Sequence, residues 1–427
     1  MAHPDTLVLS LEAARTRALE ANPALLADRA EARAAATMMA NASRAFLPTV
    51  RAEILGMRTN DPVAAFGLKL RQGMFSGQDL TLDALNNPAP FGGFTASAVV
   101  ELPLLAPEGW LGFRAAGRGA AAREAAASRL AGATVFMVSQ AYLDAQLAAH
   151  RLAALDTSLA AIRAHERQAE LMHRQGLVTG LDARLASLQA ADVEVRRLAA
   201  AAEAANAASR LRALLAIPES TSLVLTDSIS TVAAATPCQA DDVRCTVDAR
   251  GDLRALDARR DAASAARKSA WAAQLPQIGA FGMLSHHGRD APWSAGSGDW
   301  TLGIALKWNV FPALGGIATV RKAGAEHEAA AARYDGARRA AEVEVLAARR
   351  MLQAARDGAA VAARAEGEAR EALAQAQARY RTGAAPITEL LDVQSAATTA
   401  TLNLLTARRD VLLAQAALDF AYGVHDR

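Results

Sequence analysis

Glu389 and Asp392 stand one helical turn apart in the segment TELLDVQ, a spacing that sets both carboxylates on one face of a helix. Such a pair can draw a cation or simply face water, and the two residues alone leave both readings open. Cys238 and Cys245, the chain's two cysteines, lie in a polar stretch with six residues between them. In an oxidising compartment they could close a small loop worth about 2.5 kcal/mol by chain-entropy arithmetic; otherwise they are two unpaired thiols. Two cysteines without a nearby histidine do not make a zinc ligand set. His165 and His173 are eight residues apart, beyond the i, i+4 spacing of a two-histidine site, and His286-His287 falls in a loop after a strand. A surface or loop role fits them better than metal binding. No Ser, His and Asp arrangement at motif spacing, no phosphate-cradling glycine loop and no carboxylate pair in a pocket is evident. The sequence therefore offers no catalytic candidate and calls for no cofactor.

The elements that would position these residues occur twice. A shift of 228 positions carries Leu25, Ala27, Ala30, Ala34, Leu47 and Pro48 onto Leu253, Ala255, Ala258, Ala262, Leu275 and Pro276. A shift of 207 carries Arg174, Gly176 and Asp182 onto Arg381, Gly383 and Glu389. Repetition of this kind decides architecture ahead of any local assignment. The division expected is a first repeat over 1–217, a linker with the cysteine pair over 218–249, and a second repeat over 250–427.

Composition sets the class. Aromatic residues make up 4% of 427 residues, and the formal charge is +2 with a sequence pI near 8.7. An Ala-, Leu-, Arg- and Glu-rich chain of this kind favours long helices, and no strong basic field exists to draw in nucleic acid. No window of about 18 apolar residues is free of charge, so a membrane crossing would have to use strands. The opening MAHPDTLVLSLEAAR lacks the basic start, apolar core and small-residue cleavage site of a secretory leader. Either the leader was removed or the protein is not exported.

Four segments alternate with period two. Val50, Ala52 and Ile54 oppose Thr49, Arg51 and Glu53, and a Gly-, Pro- and Asn-rich connection follows. Phe94, Ala96, Ala98, Val100 and Leu102 then form a second stripe, and Ile278, Ala280, Gly282 and Leu284 a third. The strongest runs through Trp300, Leu302, Ile304, Leu306, Trp308 and Val310. Strands of about ten residues with one apolar face suit a tilted membrane-crossing barrel. Four cannot close one, so several protomers must contribute. Trp110, Trp300, Trp308 and Phe311 near the strand ends suit an interfacial girdle.

Between the strands, helices are predicted over about 10–46, with a break at Asn22-Pro23, and over 113–174, 184–216, 250–274, 312–381 and 388–422. The segment 113–174 alone would extend roughly 90 Å. The two halves, with Leu-Pro leading into each first strand, WNVFPALGG leaving the last, and the turns RQGLVTGLD and YRTGAAPITELLD, resemble the TolC family of outer-membrane efflux channels. The resemblance implies a mainly helical fold with a transmembrane β-barrel part: a long coiled-coil barrel and four strands per protomer, giving a homotrimer with twelve strands in outer-membrane lipid. It implies a passive exit duct, not an enzyme, with its helical part in the periplasm, working with a membrane-fusion adaptor and an inner-membrane pump. By the same resemblance Gly176, Leu177, Gly383 and Ala384 form adaptor-facing tip turns, Glu389 and Asp392 an acidic ring at the pore gate, and Tyr380 and Asp182 contacts between neighbouring tips. Ala385 departs from members that carry an arginine there. The rival reading is a soluble coiled-coil scaffold or a periplasmic adaptor with a small β-domain.

Overall fold

A computed structural model describes residues 6–229, 247–311 and 313–426. Cys238 and Cys245 lie outside the described residues. The chain forms two compact units, each assembled from distant segments. Residues up to 32, 123–256 and 333 onward make one, which is helical; residues 33–122 with 257–332 make the other, which holds a sheet.

In the helical unit the chain begins with β1 (Thr6–Leu9), α1 (Leu11–Ala21) and the start of α2 (Pro23–Ala42). The break between these helices has a local cause. Asn22 closes α1, its Oδ1 accepts from the Ala24 and Leu25 amides at 3.1 and 3.2 Å, and Pro23 takes the first helical position, where no amide donor is needed. Four further helices supply the body of the unit: α5 (Pro107–Arg174), α6 (Gly180–Leu214), α8 (Ala313–Arg381) and α9 (Ile387–Tyr422). Alanines bring their backbones close. Leu155, Leu159 and Ile162 of α5 pack on Ala190, Val193 and Ala200 of α6, and Val345 and Leu352 of α8 pack on Val411 and Leu418 of α9. The two pairs are joined through α5 and α9, where Ser158 and Thr398 hydroxyls lie 2.9 Å apart and Arg409 meets Asp144 at 2.7 Å. β1 pairs in parallel with β4 (Ser222–Leu225), from Thr6↔Ser222 to Leu9↔Leu225. These strands of four residues are too short to show an alternation in sequence.

In the sheet unit, β2 (Thr49–Thr59), β3 (Phe91–Leu105), β5 (Gln277–Gly288) and β6 (Gly296–Lys307) form one antiparallel sheet in the order β2-β3-β5-β6. The four alternating segments of the sequence are these four strands. β6 ends at Lys307, short of the predicted stripe, and the Trp308 indole instead donates to Gln274 O at 3.1 Å. The expected open connection between β2 and β3 contains α3 (Pro62–Arg71) and α4 (Leu82–Asn86). Asp61 caps α3 through Ala64 N at 2.8 Å with Pro62 following it, a helix start that glycine and proline content alone conceals. α7 (Gly251–Ala272) lies largely in the residues of this unit and precedes β5. Among the described residues no helix is long and apolar enough to cross a membrane.

Candidate functional site

Two features of the molecule can be built from its residues upward: the face of the sheet and the pair of helical turns. Strand register decides the first. Val50 pairs with Val100, Val100 with Gly282 and Gly282 with Leu302; Ala52 leads likewise through Ala98 and Leu284 to Trp300. Because side chains alternate along a strand, the four predicted stripes fall on one continuous face, the fourth as far as Leu306. Val50, Leu302 and Ile304 are 72%, 75% and 74% exposed. An aliphatic band of this extent, bounded on β6 by Trp300 and just beyond it by Trp308, is not left to water. The other face carries Thr49, Arg51, Glu53, Glu101, Thr301 and Lys307, with the Phe281 ring laid against Gly303, where a β-carbon would come within 2.7 Å of it. β2 and β6 are edges with no further strand among the described residues.

Beyond the ends of β3 and β5, the β2–β3 connection is locked to the sheet. Gln72 Nε2 donates to Gly92 O and Gly288 O at 3.3 and 3.4 Å, and Ser297 Oγ donates to Arg71 O. Lys69 Nζ meets Asp79 at 2.6 Å; this bond, with the Ser76 amide, lowers the carboxyl pKa to about 2. His287 is buried, with Nε2 2.8 Å from Asp299 Oδ2 and Nδ1 3.1 Å from Thr95 Oγ1, and His286 Nε2 is 2.9 Å from Ser294 O. These histidines sit on β5, which runs to Gly288, and not in a loop after it. Among the described residues no cluster of three metal-ligating side chains occurs.

The helical turns repeat in backbone detail. Gly176 N bonds to His173 O at 2.9 Å and Leu177 N to Met172 O at 2.9 Å; Gly383 N bonds to Tyr380 O at 3.1 Å and Ala384 N to Arg379 O at 2.8 Å. This pattern closes a helix through one left-handed residue. Gly176 and Gly383 supply it, with φ of +75° and +73°. A cleft of about 550 Å³ runs between the turns, lined by Leu177, Thr179, Asp182, Tyr380, Ala384 and Pro386 among others.

Tyr380 is buried beneath this cleft with Ala169, Ala186, Ala376, Ile387 and Leu390, which come from all four long helices. Among the described residues its hydroxyl has no hydrogen-bond partner, and burial, reinforced by the nearby negative charge of Asp182, pushes its pKa above the usual tyrosine value. The Asp182 carboxylate is engaged within its own turn: Thr179 N and Oγ1 donate to Oδ2 at 2.9 and 2.7 Å, while Asp182 N donates back to Thr179 Oγ1 at 3.3 Å. Glu389 is held differently, by Arg379 Nη1 at 2.5 Å. Half-exposed pairs of this kind add at most about 1 kcal/mol to stability, so the consequence of this one lies in its charge. Asp392 is exposed, makes no hydrogen bond or ion pair among the described residues, and borders an open groove with Val361, Ala365, Ser395 and Thr399. Arg379 escaped the sequence reading. The signal for it was Pro386, which stands where the first half has Thr179 and cannot offer a capping hydroxyl.

Residues 247–424 match the sequence model of the outer membrane efflux protein family. That segment is similar to the family over 247–424 of the 427 residues. The matched segment includes α7, β5, β6, α8, α9 and the turn with Gly383, Glu389 and Asp392. No curated protein sequence matches the chain. Solved structures extend the likeness to nearly its whole length. A membrane protein from Pseudomonas aeruginosa superposes with a TM-score of 0.80 at 22% identity, covering 96% of this chain and 93% of that one. The outer membrane protein VceC from Vibrio cholerae gives 0.79 at 17%, covering 97% and 96%. The open state of the MtrE outer membrane channel from Neisseria gonorrhoeae gives 0.79 at 18%, covering 97% and 88%. At such identities the likeness shows the fold, which nearly the whole chain shares with those proteins.

Proposed function

We propose that this protein is the outer-membrane channel of a tripartite efflux or secretion system, a passive duct whose strands cross the outer membrane and whose helices stand in the periplasm. The observation that carries this reading is the sheet: one exposed apolar face ending in tryptophans, with β2 and β6 both left as edges. An isolated sheet with such a face and such edges would aggregate, whereas closure with other copies satisfies every edge and leaves the apolar band to lipid. Four strands per chain suit three chains and a barrel of twelve. The family of residues 247–424 and the channels that share the fold support the same assembly. The duct does no chemistry; its energy comes from an inner-membrane pump through a periplasmic adaptor.

Within this reading Gly176, Leu177, Gly383 and Ala384 form the turns that an adaptor meets, and Glu389 and Asp392 ring the narrow periplasmic end. Tyr380, with its unbonded hydroxyl, and Asp182 belong to the contacts that change when neighbouring tips separate. Carboxylates gathered around a narrow pore favour cations and repel anions. The test is expression with an export leader, followed by membrane fractionation and gel migration with and without heating. Recovery in the outer membrane as a heat-modifiable trimer is expected. A soluble monomer without a membrane fraction would overturn the reading in favour of a coiled-coil scaffold.

A further inference from the structure

The two turns share their backbone hydrogen bonds and differ in what holds the acidic residue three positions into the following helix. At the first, Thr179 caps α6 and its amide and hydroxyl occupy the Asp182 carboxylate. At the second, Pro386 takes the capping position with no side-chain bond and no amide to give, so Glu389 is free of the backbone. Arg379, standing where the first half has Met172, takes that carboxylate: Nη1 lies 2.5 Å from Glu389 Oε1 while Nη2 reaches Ala384 O at 3.5 Å. Asp392, one turn further along α9, has no such partner among the described residues.

We infer that Arg379 is the counter-charge that sets the ion selectivity of the tip: it neutralises Glu389, so that cation preference comes from Asp392, and Glu389 contributes only when the pair is broken. The inference rests on the reading of the tip as the narrow end of the channel. A paired arginine and carboxylate act on a passing ion as a dipole, whose field falls off faster than that of a lone charge. Loss of either partner therefore has opposite effects. Without Arg379 each protomer presents a second bare carboxylate; without Glu389 each presents a bare guanidinium.

The experiment is bilayer recording of the full-length channel under a salt gradient. Arg379→Gln should raise the cation-over-anion permeability ratio at least about threefold, since one unit charge ~7 Å from an ion in water changes its local concentration by roughly that factor. Glu389→Gln should lower the ratio, and the double variant should return close to wild type. Heat-modifiable trimer migration and unchanged conductance in concentrated salt, where surface charge is screened, control for folding. An Arg379→Gln channel with wild-type selectivity would overturn the inference. Asp392→Asn then separates the two levels: a lowered ratio there leaves the tip reading standing and removes only the role of Arg379, while an unchanged ratio removes the tip reading as well.

Discussion

Tyr142 of α5 is fully buried, and its hydroxyl lies 3.0 Å from Leu9 O and 2.8 Å from Asp227 Oδ2, which also accepts from Leu11 N at 2.5 Å. One side chain thus ties α5 to the end of β1 and to the segment after β4. Tyr142→Phe should destabilise the helical unit by about 1–2 kcal/mol, read as a lower denaturant midpoint. Burial, with the neighbouring Asp227 carboxylate, pushes the tyrosine pKa up to about 12. Since the folded value lies above the unfolded one of about 10, the stability it contributes is present below pH 10 and is lost as pH rises toward 12. Tyr142→Phe should flatten that part of the alkaline profile. Asp79 has the opposite sign. Its carboxyl is held at about 2, so the stability that the Lys69–Asp79 pair gives the β2–β3 connection is present above pH 4 and disappears as pH falls toward 2. Protease cleavage within 60–90 should appear only in that acid window for wild type and at neutral pH for Asp79→Asn.

At the scale of elements, the turns and the sheet make separate demands. A β-carbon at Gly383 would meet nothing within 4 Å, so Gly383→Ala should cost only the left-handed backbone, about 1–2 kcal/mol, and Gly383→Asn less; thermal melts of the two variants check the order. In β6, Ile304 points to the apolar face and Ala305 to the other. Ile304→Arg should lower trimer recovery from the outer membrane by the equivalent of about 2–4 kcal/mol, whereas Ala305→Arg should be recovered nearly as wild type. Most of these elements were legible. The strands announced themselves by alternation, the helices by alanine content and by breaks at Asn22-Pro23 and the two glycine turns. What stayed hidden was short or cooperative. β1 and β4 span four residues each and pair across more than two hundred positions of chain; α3 and α4 rest on caps inside a stretch that composition marks as loop. Glu389 and Asp392 were visible as two residues, but Arg379, which pairs with Glu389, comes from the preceding helix, and only the fold brings it across the turn.

At the scale of the molecule, repetition of a half-length plan sets the order of turns and strands, and the apolar face of the sheet is what the proposed outer-membrane location rests on. The same face carries a length. Trp300 on β6 and Trp308 just past its end bracket Leu302, Ile304 and Leu306, and eight residues of chain at no more than about 3.4 Å each span at most ~27 Å. With strands tilted by roughly 40° the aliphatic band would stand about 20 Å tall, thinner than the ~30 Å hydrocarbon layer of an average bilayer. Hydrophobic mismatch then becomes a property of this protein: long acyl chains must compress around it. Reconstituted in vesicles of graded lipid length, the trimer should melt at the highest temperature in short-chain phosphatidylcholines and progressively lower as the chains lengthen, and a melting temperature independent of lipid length would show that the two tryptophans do not mark the edges of the membrane.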